Sequence, residues 1–184
     1  MSLLYLCRHA ESVANAEEWV SGCSDVPLTE KGYLQASELA EALSRDGTLK
    51  NIISSDLSRA KNTAETIREK LGGELLLDKD LRERDYGQWT GTPYQVAFVE
   101  RKAEWERLRQ HDDIAPPGGE TQAEHRVRIF RALKRAHRKW QHGFIVVTHR
   151  GVIRLLFQTL GIMEDGKIPS PPNPPMFIKV DWKP

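Results

Sequence analysis

Three short apolar runs in this chain each end on a basic side chain and then pass into a helix-like segment. Leu3-Leu4-Tyr5-Leu6-Cys7 is followed by Arg8-His9-Ala10-Glu11. Asn51-Ile52-Ile53-Ser54 is followed by Ser55-Asp56-Leu57-Ser58-Arg59, and Phe144-Ile145-Val146-Val147 by Thr148-His149-Arg150-Gly151. Short apolar runs rich in β-branched and aromatic residues, bounded by polar ones, read as buried strands. Strands that alternate with helices predict a mainly parallel sheet between helical layers, a three-layer α/β/α sandwich. Ligands of such a sheet collect beyond the carboxyl ends of its strands. If the three strands lie parallel, Arg8-His9, Arg59 and His149-Arg150 converge on one crevice beside exposed helix amides. That is an anion site, and phosphate is the anion it fits best. One Arg-His pair alone is as consistent with a surface arginine and a loop histidine; the recurrence decides.

The segments between the strands carry helical signals. Thr29 is placed to cap a helix over Glu30 to Arg45, with Ala36, Leu39, Ala40 and Leu43 on one face and Gly47 as its stop. Asp56 or Ser58 is placed to cap a second, in which Ala60, Ala64, Ile67 and Leu71 share a face before Gly72-Gly73. Leu75-Leu76-Leu77 is a short strand candidate, and Pro93 to Arg109 reads as helix with Phe98, Trp105 and Leu108 for burial. Ala115-Pro116-Pro117-Gly118-Gly119 must be a loop. A long helix over Thr121 to Trp140 and another over Val152 to Leu160 flank the third strand. After a proline-rich loop, Pro169 to Pro175, the alternation of Met176, Ile178, Val180 and Trp182 with polar neighbours predicts a half-exposed, antiparallel edge strand.

With 184 residues, 39% of them hydrophobic, the chain has room for one full core, and a single domain over 1–184 is expected. A formal net charge of +1 gives no bulk attraction to nucleic acid or membrane. Two cysteines, Cys7 and Cys23, supply neither a disulfide framework nor a zinc site, so a reducing cytoplasm is the expected location. No stretch approaches the roughly 18 apolar residues of a membrane span.

In order along the chain, several motifs together resemble the histidine phosphatase superfamily, which includes the cofactor-dependent phosphoglycerate mutases and many small-molecule phosphatases. They are Leu6 to Ser12 with Asn15; Ser54 to Ala60 with Thr63-Ala64; Leu81-Arg82-Glu83 with Tyr86-Gly87-Gln88-Trp89 and Gly91; Pro117 to Thr121; and Val147-Thr148-His149. The resemblance implies His9 as the nucleophile that takes the phosphoryl group. Neutral imidazole suits that role at neutral pH when its other nitrogen is held as a donor. It also implies Arg8, Arg59 and His149 as ligands of the phosphoryl oxygens and Glu83 as proton donor to the leaving alcohol. Asn15 and the backbone at Gly22 would be secondary contacts. No metal and no cofactor is implied, and the expected partner is a small phosphate ester.

The chain departs from the family pattern at Ala10, at Arg150 and in the segment after Gly91. Arg150 stands where many members have glycine, and a guanidinium there would favour a substrate with a second anionic group. The lysine and arginine pair that mutases carry after Gly91 fall near Tyr94 and Gln110-His111, which favours a hydrolase over a mutase. The alternatives are a cofactor-dependent phosphoglycerate mutase, a non-catalytic binder, or a nucleic-acid binder using the basic stretch Arg126 to Lys139. That stretch is read first as an ordinary amphipathic helix. Glu11 is expected in a structural ion pair with an arginine, and His111, His125, His137 and His142 on the surface. Cys23 has no base beside it and is not expected to act as a nucleophile.

Overall fold

The computed structural model describes residues 1–165, 167–174 and 176–184. Its elements run β1 (Ser2–Arg8), α1 (Val13–Ala16), α2 (Glu30–Asp46), β2 (Ile52–Ser54), α3 (Ser58–Leu71), β3 (Leu75–Leu77), α4 (Lys102–Gln110), α5 (Gln122–Lys139), β4 (Gly143–Thr148), α6 (Arg150–Leu160) and β5 (Phe177–Trp182). The sheet order is β3-β2-β4-β1-β5, parallel except for β5, which runs antiparallel to β1 at the edge. Register places Arg8 level with Thr148 and Ser54 level with Val147, so the three central strands end together.

Alternation along those strands builds the two faces. Leu4, Leu6, Ile53, Phe144 and Val146 pack with Ile129 and Leu133 of α5 and with Ile153 and Leu156 of α6. Tyr5, Cys7, Ile52, Ile145 and Val147 pack with Leu39 and Leu43 of α2 and with Ala64 and Ile67 of α3. The result is an α/β sandwich with a mostly parallel central sheet. No helix of the described residues is long and apolar enough to cross a membrane.

Several local expectations hold for the stated reasons. The Thr29 hydroxyl accepts the Gly32 amide at 3.0 Å, and Gly47 closes α2 in the left-handed region. Thr121 and Glu124 form a reciprocal capping box at the start of α5, with bonds of 3.1 and 2.8 Å. In β5, Val180 and Trp182 are buried while Lys179 and Asp181 face water. Met176, expected in that strand, lies before it and is 64% exposed. Pro175, at the end of the expected proline-rich loop, lies outside the described residues.

Other expectations are corrected. Neither Asp56 nor Ser58 caps α3. Its cap position is Leu57, and Asp56 instead forms a forked pair with Arg82 at 2.7 and 2.6 Å. The capping carboxylate comes from Asp25, which accepts the Ser58 amide at 2.7 Å and its hydroxyl at 2.8 Å. The expected helix from Pro93 to Arg109 is broken: a π-helical turn over Val96–Glu100 precedes α4. Widening of that turn shifts the phase of the face, and Ala97 reaches the small core around Val20 and Trp105. Glu11 pairs with Lys31, not with an arginine, at 2.8 Å.

The basic face of α5 is the largest change in reading. Arg126 pairs with Asp112, Arg128 with Glu120, Arg131 and Arg135 with Asp80, and Lys139 with Glu74; Arg135 also reaches Asp78. The partners are loop acids around β3 and the segment before α5, not the acidic faces of other helices. His125, expected on the surface, is 1% exposed, because the first turn of α5 lies against Arg84 and the Glu83 segment. His137 is half-buried, its Nδ1 2.7 Å from the Ser2 hydroxyl, whereas His111 and His142 are exposed.

Candidate active site

β1 delivers Arg8 at its last position and His9 immediately after it, where the His9 amide still donates to Thr148 at 2.8 Å. The imidazole is 6% exposed. Its Nδ1–H donates to the Ala10 carbonyl at 2.7 Å, which fixes the tautomer and leaves the Nε2 lone pair unprotonated. Burial, followed by the charges of Arg59 and Arg8, holds the His9 pKa well below the usual imidazole range. A neutral, oriented imidazole is the form that attacks phosphorus.

His149 caps the end of β4 at ring-centroid distance 5.1 Å from His9. Its Nε2 lies 2.9 Å from the Ser55 hydroxyl, which also accepts the Leu57 amide. Its Nδ1 is buried without a protein partner. Burial and Arg59 push the His149 pKa well below its usual value.

Arg59 is fully buried in the first turn of α3. Its Nη1 donates to the Ser24 carbonyl at 2.7 Å and Nη2 to the Gly22 carbonyl at 2.8 Å, while Nε has no protein partner. Asp25 at the end of the same loop caps α3, so the Gly22–Asp25 loop is tied to this helix through both a guanidinium and a carboxylate. Arg8 donates through Nη1 to Asn173 at 2.8 Å, and its buried Nε is likewise unpaired.

Glu83 enters from the loop before Tyr86. Its carboxylate accepts the Arg84 amide at 2.8 Å through Oε1 and the Gly151 amide at 2.8 Å through Oε2. A Cβ at position 151 would lie 2.2 Å from Glu83 Oε1, so only glycine permits this approach. The Glu83 carbonyl accepts from Arg128 at 2.8 Å and from the Cys23 thiol at 3.0 Å. Burial pushes the Cys23 pKa up to about 11, which keeps it a thiol.

Arg8, His9, Arg59, Glu83 and His149 line one cleft of about 400 Å³, and Asn15, Gly22 and Arg150 line it too. The site residues anticipated from sequence are thus brought together. Two of them have other engagements. Asn15 completes the cap of α1, accepting the Ser12 amide at 3.2 Å, and gives its Nδ2 to the Tyr94 hydroxyl at 3.2 Å. Gly22 offers its carbonyl to Arg59, as described.

Sequence reasoning missed Ser55, Tyr94, Lys102, Arg109 and Arg154, which belong to this cleft or orient its residues. The spacing of Arg150 and Arg154 on one helical face was a readable signal. Arg109 was not readable, because the break before α4 sets which way its side chain faces. Arg109 and Arg154 also line an adjoining cavity of about 420 Å³. Among the described residues, no group of three His, Cys, Asp or Glu side chains is placed to hold a metal ion.

Comparison with known proteins places this geometry. A family model described as the histidine phosphatase superfamily (branch 1) matches residues 4–174. The chain is 38% identical over 159 residues to phosphoglycerate mutase-like protein 4 of Arabidopsis thaliana, covering 84% of this chain and 69% of that one. It is 38% identical over 135 residues to a probable phosphoglycerate mutase of Salmonella choleraesuis, covering 72% of this chain and 62% of that one. Its fold matches a mycobacterial glucosyl-3-phosphoglycerate phosphatase with a TM-score of 0.79 at 25% identity, over 94% of this chain and 87% of that one. Strand ends, guanidiniums and paired imidazoles therefore have a common explanation: this chain belongs to the histidine phosphatase superfamily.

Proposed function

We propose that this protein is a metal-independent phosphomonoesterase, acting in the cytoplasm on a small phosphorylated metabolite through a phosphohistidine at His9. The observation that carries this reading is the His9 tautomer: Nδ1–H is committed to Ala10, and Nε2 has no protein hydrogen bond in a cleft lined by Arg8, Arg59 and His149. Nε2 would attack phosphorus in line as the P–O bond to the alcohol breaks. Arg8, Arg59 and His149 would take up the charge on the equatorial oxygens. Glu83 would give its proton to the departing alkoxide, then take one from the water whose oxygen attacks phosphorus as the P–N bond breaks, which releases phosphate and restores His9. Arginine lining on several sides of the cleft repels a divalent cation and supports a mechanism without one.

Hydrolysis is favoured over mutase chemistry by the resemblance, which puts the lysine of the mutases near Tyr94, and by the phosphatase among the structural neighbours. The mutase reading draws on the names of the sequence relatives, and dependence on bisphosphoglycerate would reveal it. The decisive experiment incubates the protein with a ³²P-labelled aryl phosphate and chelator. Acid-labile label on the wild type and none on His9→Ala is expected. Activity that is lost to chelator yet survives His9→Ala would overturn the proposal.

A further inference from the structure

The N-terminal half of α6 is electrostatically unfavourable as it stands. Arg150 occupies its first position, where the helix dipole already presents positive charge. Arg154 follows one turn later, and like charges at this spacing repel. Arg109 of α4 joins them: its Nε donates to the Trp105 carbonyl at 3.1 Å, and its guanidinium carbon lies 5.7 Å from the Phe98 ring centroid. Burial, then the charges of Arg154 and, more weakly, Arg150, lower the Arg109 pKa, and Arg150 acts in the same way on Arg8. All four guanidiniums, those of Arg8, Arg109, Arg150 and Arg154, line the one cleft.

Along α5, Arg126, Arg128, Arg131 and Arg135 each have a carboxylate partner. Among the described residues, no carboxylate lies within 4.0 Å of Arg109, Arg150 or Arg154. Glu106, the acid in this wall, is 3.7 Å from Lys102. The cleft thus presents six cationic side chains against the two carboxylates Glu83 and Glu106. Arg8 and Arg59 suffice for the transferred phosphoryl group. The remaining guanidiniums, Arg109, Arg150 and Arg154, come to the same cleft from α4 and α6.

We infer that the α4–α6 wall binds a second anionic group of the substrate through Arg109, Arg150 and Arg154. The substrate class is then a phosphomonoester whose far end carries a carboxylate or a second phosphoryl group. Guanidinium forks from two helices match the planar or tetrahedral oxygens of such a group. This inference rests on the phosphatase reading above, and it adds a recognition element that Arg8, His9, Arg59 and His149 do not supply.

The test compares kcat/KM for 4-nitrophenyl phosphate, glycerol 1-phosphate, 2-phosphoglycerate and fructose 1,6-bisphosphate. Wild type is expected to prefer the last two over glycerol 1-phosphate by about 10- to 100-fold, the range of one or two charge-assisted hydrogen bonds. The two arms show whether the tail is a carboxylate or a phosphoryl group. Arg109→Gln and Arg154→Gln should collapse that preference, chiefly through KM, and raised salt should weaken it. Arg138→Gln, on the solvent side of α5, should preserve it. Equal turnover of neutral-tailed and anionic-tailed esters by the wild type would overturn the inference while leaving the phosphatase reading intact. A preference that survives in Arg109→Gln and Arg154→Gln would overturn it too. Absence of turnover and of acid-labile label with every ester would remove the phosphatase reading and this inference with it.

Discussion

Glu83 and Gly151 are locked together across the cleft: the Gly151 amide donates to Oε2 at 2.8 Å, and the missing side chain of residue 151 leaves the space that Oε1 fills. The contact joins the loop carrying the acid to the first turn of α6, directly after His149. Gly151→Ala should therefore act on the acid and not on the nucleophile. Turnover of alkyl phosphates is expected to fall by about 10²–10⁴, the usual worth of general acid–base help. Aryl phosphates, whose leaving groups need little protonation, should lose far less, and Glu83→Gln should give the same split. Steady-state rates on the two ester types check this; equal losses would contradict it.

Arg128 holds the same loop from behind. Its guanidinium donates to the carbonyls of Asp80 at 2.9 Å, Arg82 at 2.7 Å and Glu83 at 2.8 Å, and also pairs with Glu120. Its side chain is 15% exposed, so the pair is mostly shielded from water. Arg128→Met would remove the guanidinium from the Asp80 and Arg82 carbonyls, leave the Glu83 carbonyl to the Cys23 thiol, and deprive the Glu120 carboxylate of its counter-charge, leaving it the Asp85 amide. A loss of about 3 kcal/mol in unfolding free energy is expected, as for a buried pair that loses one partner. Denaturant unfolding measures it, and a loss below about 1 kcal/mol, the range of exposed pairs, would show the clamp to be ornamental.

Asp25 caps α3 from a distant loop, so Asp25→Ala should cost about 1 kcal/mol of stability. It should also raise KM for any phosphate ester, because the loop it anchors accepts both terminal nitrogens of Arg59. A loss of stability with KM unchanged would separate the cap from the site, and no change in either would contradict both expectations.

The pH dependence follows from three buried histidines. Burial is the first cause that holds His9, His125 and His149 well below the ordinary value of 6.5, with nearby arginines adding to it. Above 6.5 these groups are neutral in both the folded and unfolded chains and favour neither. As pH falls through 6.5 the unfolded chain takes up protons that the folded one refuses, so stability falls from there downward until the folded pKa values are reached. Thermal unfolding from pH 8 to pH 5 should show this slope, and His125→Asn should reduce it. By the same shift, the fast phosphorylation of His9 should remain flat down to about pH 6.5. An acid limb centred above that value would contradict a neutral nucleophile.

Much of this was legible in the chain because strand ends are short-range features. Arg8-His9, Arg59 and His149 each sit a fixed few residues after an apolar run, and parallel pairing then brings them together. The motif sequence around Glu83 marked the acid as well. What escaped was set by contacts between distant segments. Asp25 caps α3 from outside the helix, where no local pattern points to it. The π-turn before α4 turned Arg109 toward the cleft, and α5 found its counter-charges in the loops around β3. His125 looked like a surface residue because its neighbours in sequence are charged, yet those neighbours reach past it to pair and leave the ring inside.

The strand order gives the site a built-in ruler. β2, β4 and β1 are adjacent, and neighbouring strands stand about 4.8 Å apart. Arg59, His149 and the Arg8-His9 pair thus issue from lanes that together span roughly 10 Å. That width leaves room for one tetrahedral anion with a hydrogen bond of about 2.9 Å on either side. Its calibration lies in the hydrogen-bonded backbone ladder of β2, β4 and β1. Substitutions in the α4–α6 wall can therefore change which ester is chosen while the distance between His9 and His149 stays the same.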